Sequence, residues 1–200
     1  MSVGVFMGIH PSYRGDALDV AQDLIAAVNA ALAPFGVPPY EDPPKHLDVY
    51  VHHRFGRSAL DHHGAEAFEG LAGLATTRGV HAAHLALLTI NPYRVAFLPS
   101  DFAAPVETDH TERIAGEQVR IWVGSSPRLL RELEDMAPLL GIALERGELP
   151  DRIADAINEL EPLVEGEEPG LAEDARTAWL LLFEGARMSC KHGVALSLAG

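Results

Sequence analysis

The apolar residues of this 200-residue chain recur with two different periods. Between Ala17 and Ala33, Leu18, Ala21, Leu24, Ile25, Val28 and Leu32 keep the three-to-four-residue interval that lines up one side of a helix, and Pro34 ends it. After Ser58, a residue able to cap a helix start, Leu60, Ala67, Phe68, Leu71 and Leu74 keep the same interval up to Gly79. Ser126-Pro127 joins a capping hydroxyl to a proline at the first helical position and predicts a helix burying Leu129, Leu133, Met136 and Leu140 before Gly141. Ile153, Ile157 and Leu160 predict a further helix over 151–160. Trp179, Leu182, Phe183, Ala186 and Cys190 form the apolar stripe of the longest helix, 173–191.

Shorter runs read as strands. "VGVFMGI" opens the chain as one, and "LDVYVHH" alternates Leu47, Val49 and Val51 with polar neighbours, the two-residue period of a half-buried strand. "HLALLTI" and "YRVAFLP" flank Asn91-Pro92 and predict a hairpin. "EQVRIWVG" extends it to an antiparallel meander, with "SDFAAPVETDHTERIAG" as a long loop or edge, and "GVALSLAG" closes the chain as a last strand. Five prolines in "PFGVPPYEDPPKH" predict a stiff surface connection. Strands gathered centrally between helices imply an α+β fold: a central, largely antiparallel sheet covered by helices, in a single domain over 1–200.

Charge narrows the function. With 29 acidic and 15 basic residues the formal net charge is −14. That balance argues against nucleic acid or an anionic membrane as a ligand and leaves room for a basic protein partner. Eleven acidic residues and two arginines between Glu145 and Asp174 supply −9 of the total. Within that span Asp151, Asp155 and Glu159 are four apart and share a helix face, and with Glu165, Glu167 and Glu168 they are the candidate partner-binding residues. A solubilising surface carries the same pattern. Cys190 is the only cysteine, so neither an intramolecular disulfide nor a thiolate metal cage can form. The start lacks a basic segment and its apolar run stops at His10, which together with the reduced cysteine implies a cytoplasmic protein. A homo-oligomer fits the same composition.

Seven of the ten histidines lie between His46 and His84, a density that raises a metal site, zinc or manganese, as the alternative chemistry. On a helix His62 and His63 diverge by about 100°, and His52 and His53 on a strand face opposite ways. The combination that survives is His52 from the strand with Asp61, His62 and Glu66 from the following helix, a set suited to a metal-dependent hydrolase or a metal-binding protein. Asp61-His62-His63 resembles the name-giving triplet of the DHH phosphoesterases. Here, however, "GRSAL" precedes it instead of a buried strand, and "MSVGVFMGIHPSYRGD" has no aspartate-rich motif. "VGSSP" offers helix N-terminal N–H groups to an anion, although ordinary capping uses the same residues. No GxGxxG or Walker loop is present, so no nucleotide cofactor is implied.

Three stretches, "PYRVAFLPSDF", "VGSSPRLLRELEDMAPLLGI" and "ARTAWLLLFEGARMSCKHGVALSLAG", resemble a group of small acidic bacterial cytoplasmic proteins whose size and acidity are similar to those of immunity proteins. The resemblance covers the C-terminal half and implies no catalytic residues. Taken together these readings favour a non-enzymatic acidic protein-binding domain without a cofactor. The resemblance narrows that to an immunity-type inhibitor covering a basic surface on a toxin or other protein.

Overall fold

The computed structural model of the chain describes residues 2–9, 18–42, 63–114, 116–159, 163 and 171–199. Its strands are β1 (Ser2–Met7), β2 (His63–Gly64), β3 (Arg94–Leu98), β4 (Val106–Ile114), β5 (Glu117–Ser125) and β6 (Leu196–Ala199). They form one sheet in the order β2-β1-β6-β3-β5-β4. Every neighbouring pair is antiparallel except β3 with β5. The helices are α1 (Leu18–Leu32), α2 (Ala65–Thr77), the short α3 (Leu87–Ile90), α4 (Ser126–Met136), α5 (Asp151–Asn158) and α6 (Leu171–His192). The architecture is α+β, as the sequence predicts. Among the described residues no helix is long and apolar enough to cross a membrane.

Strand alternation sorts the core into two layers. Val95 and Phe97 of β3 and Leu196 and Leu198 of β6 join Phe68, Leu129 and Phe183 in the layer under α2, α4 and α6. Ala96 and Leu98 point the other way, to Ala21, Leu24, Val28 and Leu32 of α1. In α6 the Trp179 and Phe183 rings stack at 4.5 Å, and the Trp179 Nε1–H donates to the Leu133 carbonyl of α4 at 2.7 Å. This bond satisfies the indole's one donor inside the core. Two glycines permit the closest approaches. A Cβ on Gly124 would stand 2.4 Å from the Phe97 ring on the adjacent strand, and one on Gly185 would stand 2.7 Å from Leu196 Cδ1, where α6 lies on β6.

Several local expectations change. "HLALLTI" is a run of turns ending in α3, so the expected hairpin at Asn91-Pro92 does not form, and Asn91 instead accepts the Tyr93 N–H at 3.0 Å. Leu85, Leu87 and Leu88 are buried while Ile90 is exposed, and so short an apolar run does not separate turn from strand by its period. The meander is replaced by a β4–β5 hairpin, with β5 returning parallel to β3. β4 is the edge strand, one of the two expectations for its segment. It carries alternating exposed Glu107, Asp109, Thr111 and Arg113 and a register shift between Glu107 and Thr111, both of which discourage further pairing. His63 pairs with Val3 in β2, so α2 starts later than expected, at Ala65. Helix α4 is capped by Ser125, whose hydroxyl accepts the Arg128 N–H, rather than by Ser126.

Cys190 is exposed instead of lying on the buried stripe. The proline-rich connection also departs from a bare surface link. Pro34 continues α1 into a 3-10 turn over Ala33–Phe35, and Tyr40 is buried. The Tyr40 hydroxyl donates to Asp42 and accepts the Ala195 N–H at 2.8 Å, while Asn29 of α1 exchanges two hydrogen bonds with the Tyr40 main chain. "LDVYVHH", Ser58, Leu60 and Leu160 lie outside the described residues.

Candidate acidic interface

The acidic surface is built on a compact excursion between α4 and α6. After α4 a 3-10 turn, Ala137–Leu140, is closed by Gly141 in the left-handed region (φ 71°). Glu145 and Glu148 then exchange both main-chain hydrogen bonds around Arg146 and Gly147, which have φ of 56° and 78°. This is the geometry of a two-residue reversal with both central residues left-handed, and Gly147 adopts it without strain. Leu149 is buried and anchors the chain, and Pro150 precedes the first turn of α5. Ile153, Ala154 and Ile157 bury one side of α5. The opposite side is left to the charges.

Glu145, Glu148, Asp151, Asp155 and Glu159 are all exposed. Glu145 and Glu148 occupy directly opposed positions of the reversal, where like charges repel. Glu134 of α4 adds a carboxylate, its Oε1 lying about 4.0 Å from the position a Gly147 side chain would take. The arginines inside the segment are Arg146 and Arg152. Arg152 reaches Glu145 at 3.4 Å, but both side chains are 68% exposed, and such pairs contribute little. Other arginines are committed elsewhere. Arg128 and Arg131 hold Asp101, Arg120 holds Glu107, Arg94 holds Glu112 and Arg187 holds Glu184. The carboxylates of 145–159 therefore keep a net negative field on a folded scaffold.

Of the residues expected to bind a partner, Asp151, Asp155 and Glu159 come together on this face, and Glu165, Glu167 and Glu168 lie outside the described residues. Of the metal alternative, His52, Asp61 and His62 lie outside them, and Glu66 is exposed on α2. Among the described residues no group of three or more His, Cys, Asp or Glu side chains can hold a metal ion.

His84 has a structural position. It is 1% exposed, its Nδ1 accepts the Ser125 N–H at 3.0 Å, and its ring meets Phe102 edge-on. That bond requires a neutral ring, and burial pushes its pKa below the ordinary histidine range despite the Ala103 main chain and Asp101. The Glu132 carboxylate of α4 accepts the main-chain N–H groups of His84 at 3.0 Å and Leu85 at 2.7 Å. Burial pushes the Glu132 carboxyl up, and those donors pull it partly back. The start of α4 is thus spoken for. Ser125 caps it, Ser126 donates to the Phe97 carbonyl or meets Ser189, and Asp101 sits on Arg128, which answers the anion reading of "VGSSP".

Sequence reasoning missed a groove of about 430 Å³ between α2, the Ala137–Leu140 turn and the start of α6. Ala67, Gly70 and Leu74 of α2 form one wall, and Leu139, Leu140 and Ala175 face them. Glu66 and Asp174 stand on its rim. The helical spacing of Ala67, Gly70 and Leu74 was the available signal, but the opposing wall comes from residues distant in sequence.

Fold and surface together define an acidic α+β protein with an exposed carboxylate face over 145–159. The chain belongs to the family described as "Putative DNA-mimic protein", whose model matches residues 50–198. That description fits the resemblance to an acidic family, and it does not extend to immunity proteins. No curated protein and no solved structure matches the chain.

Proposed function

We propose that this protein is a non-enzymatic binding protein that occupies the basic, DNA-contacting surface of a DNA-binding partner. The observation that carries the reading is the exposed carboxylate face of 145–159 on ordered backbone, in a chain that belongs to a family described as mimicking DNA. A protein that grips DNA does so chiefly by placing Lys and Arg against phosphates. Carboxylates at a regular interval offer those side chains the same sign of charge. Asp151, Asp155 and Glu159 follow one another every four residues on and just past α5, so they present negative charge at a repeated interval of about 6 Å of helix rise, as phosphates do along a DNA strand. A face already ordered before binding loses less entropy than a flexible acidic tail.

Glu165, Glu167 and Glu168 continue the same sign along the chain and are assigned to the same partner in this reading. An immunity-type inhibitor is its narrower version, in which the partner is a toxin that contacts nucleic acid, met in the cytoplasm.

The test is capture from a nuclease-treated lysate of the producing cell, using wild-type protein and an Asp151→Lys/Asp155→Lys/Glu159→Lys variant as baits. The reading expects DNA-binding proteins on the wild type that excess duplex DNA releases and that the variant fails to retain. Capture that survives both treatments would overturn it.

A further inference from the structure

The groove between α2 and the Ala137–Leu140 turn supplies what a purely electrostatic face lacks, an apolar slot beside the charge. We propose that it receives an amphipathic, basic helix of the partner, which places an apolar side chain between Gly70 and Leu139 and sets Lys or Arg against Glu66 and Asp174. The inference rests on the binding reading above and adds to it the chemistry of the recognised element.

Four observations support it. The α2 wall runs Ala67, Gly70, Leu74, so its middle has almost no side chain to hold another helix away. A Cβ placed on Gly70 meets no atom within 4 Å, which leaves room for an incoming side chain. Leu139 is 42% exposed on the opposite lip, although its neighbours Ala137 and Leu140 are buried. The rim charges complement a basic helix: Glu66 and Asp174 face outward, whereas the Arg176 guanidinium is turned inward, its Nε–H donating to the Leu140 carbonyl at 2.8 Å. Arg78, just past the opposite end of α2 from Glu66, sets the polarity of the bound helix by repelling its more basic end.

The groove and the acidic face are joined by one short stretch of chain, from Leu139 to Glu145. A second hollow, rimmed by Glu134 and lined by Ala137 and Pro138, lies on the same turn that carries Leu139, with Gly141 leading on towards Glu145. One partner can therefore engage charge and slot together. This arrangement of apolar anchor and charged surround is what concentrates affinity in protein interfaces.

The experiment uses two 14-residue probes with equal lysine content, an amphipathic Leu/Lys helix and a Gly/Lys peptide, titrated into the full chain by NMR and calorimetry. The expected result is at least tenfold tighter binding of the Leu/Lys peptide, with amide shifts at Gly70, Leu74 and Leu139. Gly70→Trp, which fills the slot, is expected to remove that advantage and leave Gly/Lys binding unchanged. Leu139→Ser provides a second variant on the opposite wall, and circular dichroism confirms that both fold. Equal affinity for the two peptides, shifts confined to other surfaces, no effect of either variant, or self-association of the free protein through this groove would overturn the proposal. The α5 triple Lys variant separates the two readings: it is expected to weaken Gly/Lys binding at least tenfold while the Leu/Lys peptide stays the tighter of the two, and undiminished Gly/Lys binding sinks the acidic-face reading without touching the groove.

Discussion

Replacing Glu132 by Ala tests the buried carboxylate that fixes the turn before α3. Glu132 is 8% exposed, and its two oxygens accept the His84 and Leu85 N–H groups at 3.0 and 2.7 Å. Truncation leaves two buried main-chain donors without this acceptor, at about 1–3 kcal/mol each. Part of that loss is returned because a buried carboxylate no longer has to be desolvated, the same burial that pushes the Glu132 pKa up. The expected net loss is therefore about 2–4 kcal/mol. At roughly 2–4 °C per kcal/mol for a chain of this size, that corresponds to a fall in Tm on the order of 4–16 °C.

The assay is urea unfolding followed by circular dichroism, with hydrogen exchange at the His84 and Leu85 amides under native conditions. Both amides are expected to lose protection in Glu132→Ala while those of α6 open only in step with global stability. Glu132→Gln keeps one acceptor oxygen and presents an NH₂ to the other donor, so it is expected to fall between wild type and Glu132→Ala. Losses below about 0.5 kcal/mol in both variants, together with protected His84 and Leu85 amides, would refute the reasoning.

Three further outcomes follow from the same geometry. His84 is neutral in the fold and its pKa is lowered, so the unfolded chain takes the proton first; its contribution is complete above about pH 6.5 and is lost as pH falls below that value, with a slope of up to about 1.4 kcal/mol per unit. Glu132 works in the opposite sense, because its raised pKa returns stability as it protonates, so His84→Asn, which keeps an acceptor for the Ser125 N–H, should flatten the dependence below pH 6.5 in urea titrations. An unchanged slope in that variant would assign the dependence to other groups. Gly124→Ala drives a Cβ into the buried Phe97 ring and should cost about 1–3 kcal/mol or more by urea unfolding, and a neutral effect would mean that β3 and β5 separate without cost. Tyr40→Phe removes the acceptor of the buried Ala195 N–H and should destabilise by about 1–3 kcal/mol in the same assay, with equal stability counting against a docked proline-rich segment.

What the sequence reveals is what depends on neighbours along the chain. Ile153 and Ile157 against Asp151 and Asp155 mark both faces of α5, and Trp179 to Ala186 mark α6, because one helix repeats its environment every turn. The acidic face was legible for the same reason, since charges four apart stay outward once the apolar side is buried. Properties set across the chain were not legible. The parallel pairing of Phe97 with Gly124 is a choice of partner that no local period records. Leu85, Leu87 and Leu88 follow a turn fixed by Glu132, 47 residues from Leu85, and Tyr40 is drawn in by the Ala195 N–H, 155 residues away. The groove needs Gly70 and Leu139 on one surface, and only the packing of α2 and α4 against the shared helix α6 brings them there.

The central claim, that the carboxylate face competes for a DNA-contacting surface, is tested most directly by fluorescence anisotropy on a captured partner bound to labelled duplex DNA. Titrating in the wild-type protein should return the anisotropy to that of free DNA, with an apparent affinity that weakens as salt rises and collapses in the Asp151→Lys/Asp155→Lys/Glu159→Lys variant. An anisotropy that holds or climbs as the protein is added, signalling a ternary complex with the DNA still in place, would contradict the account.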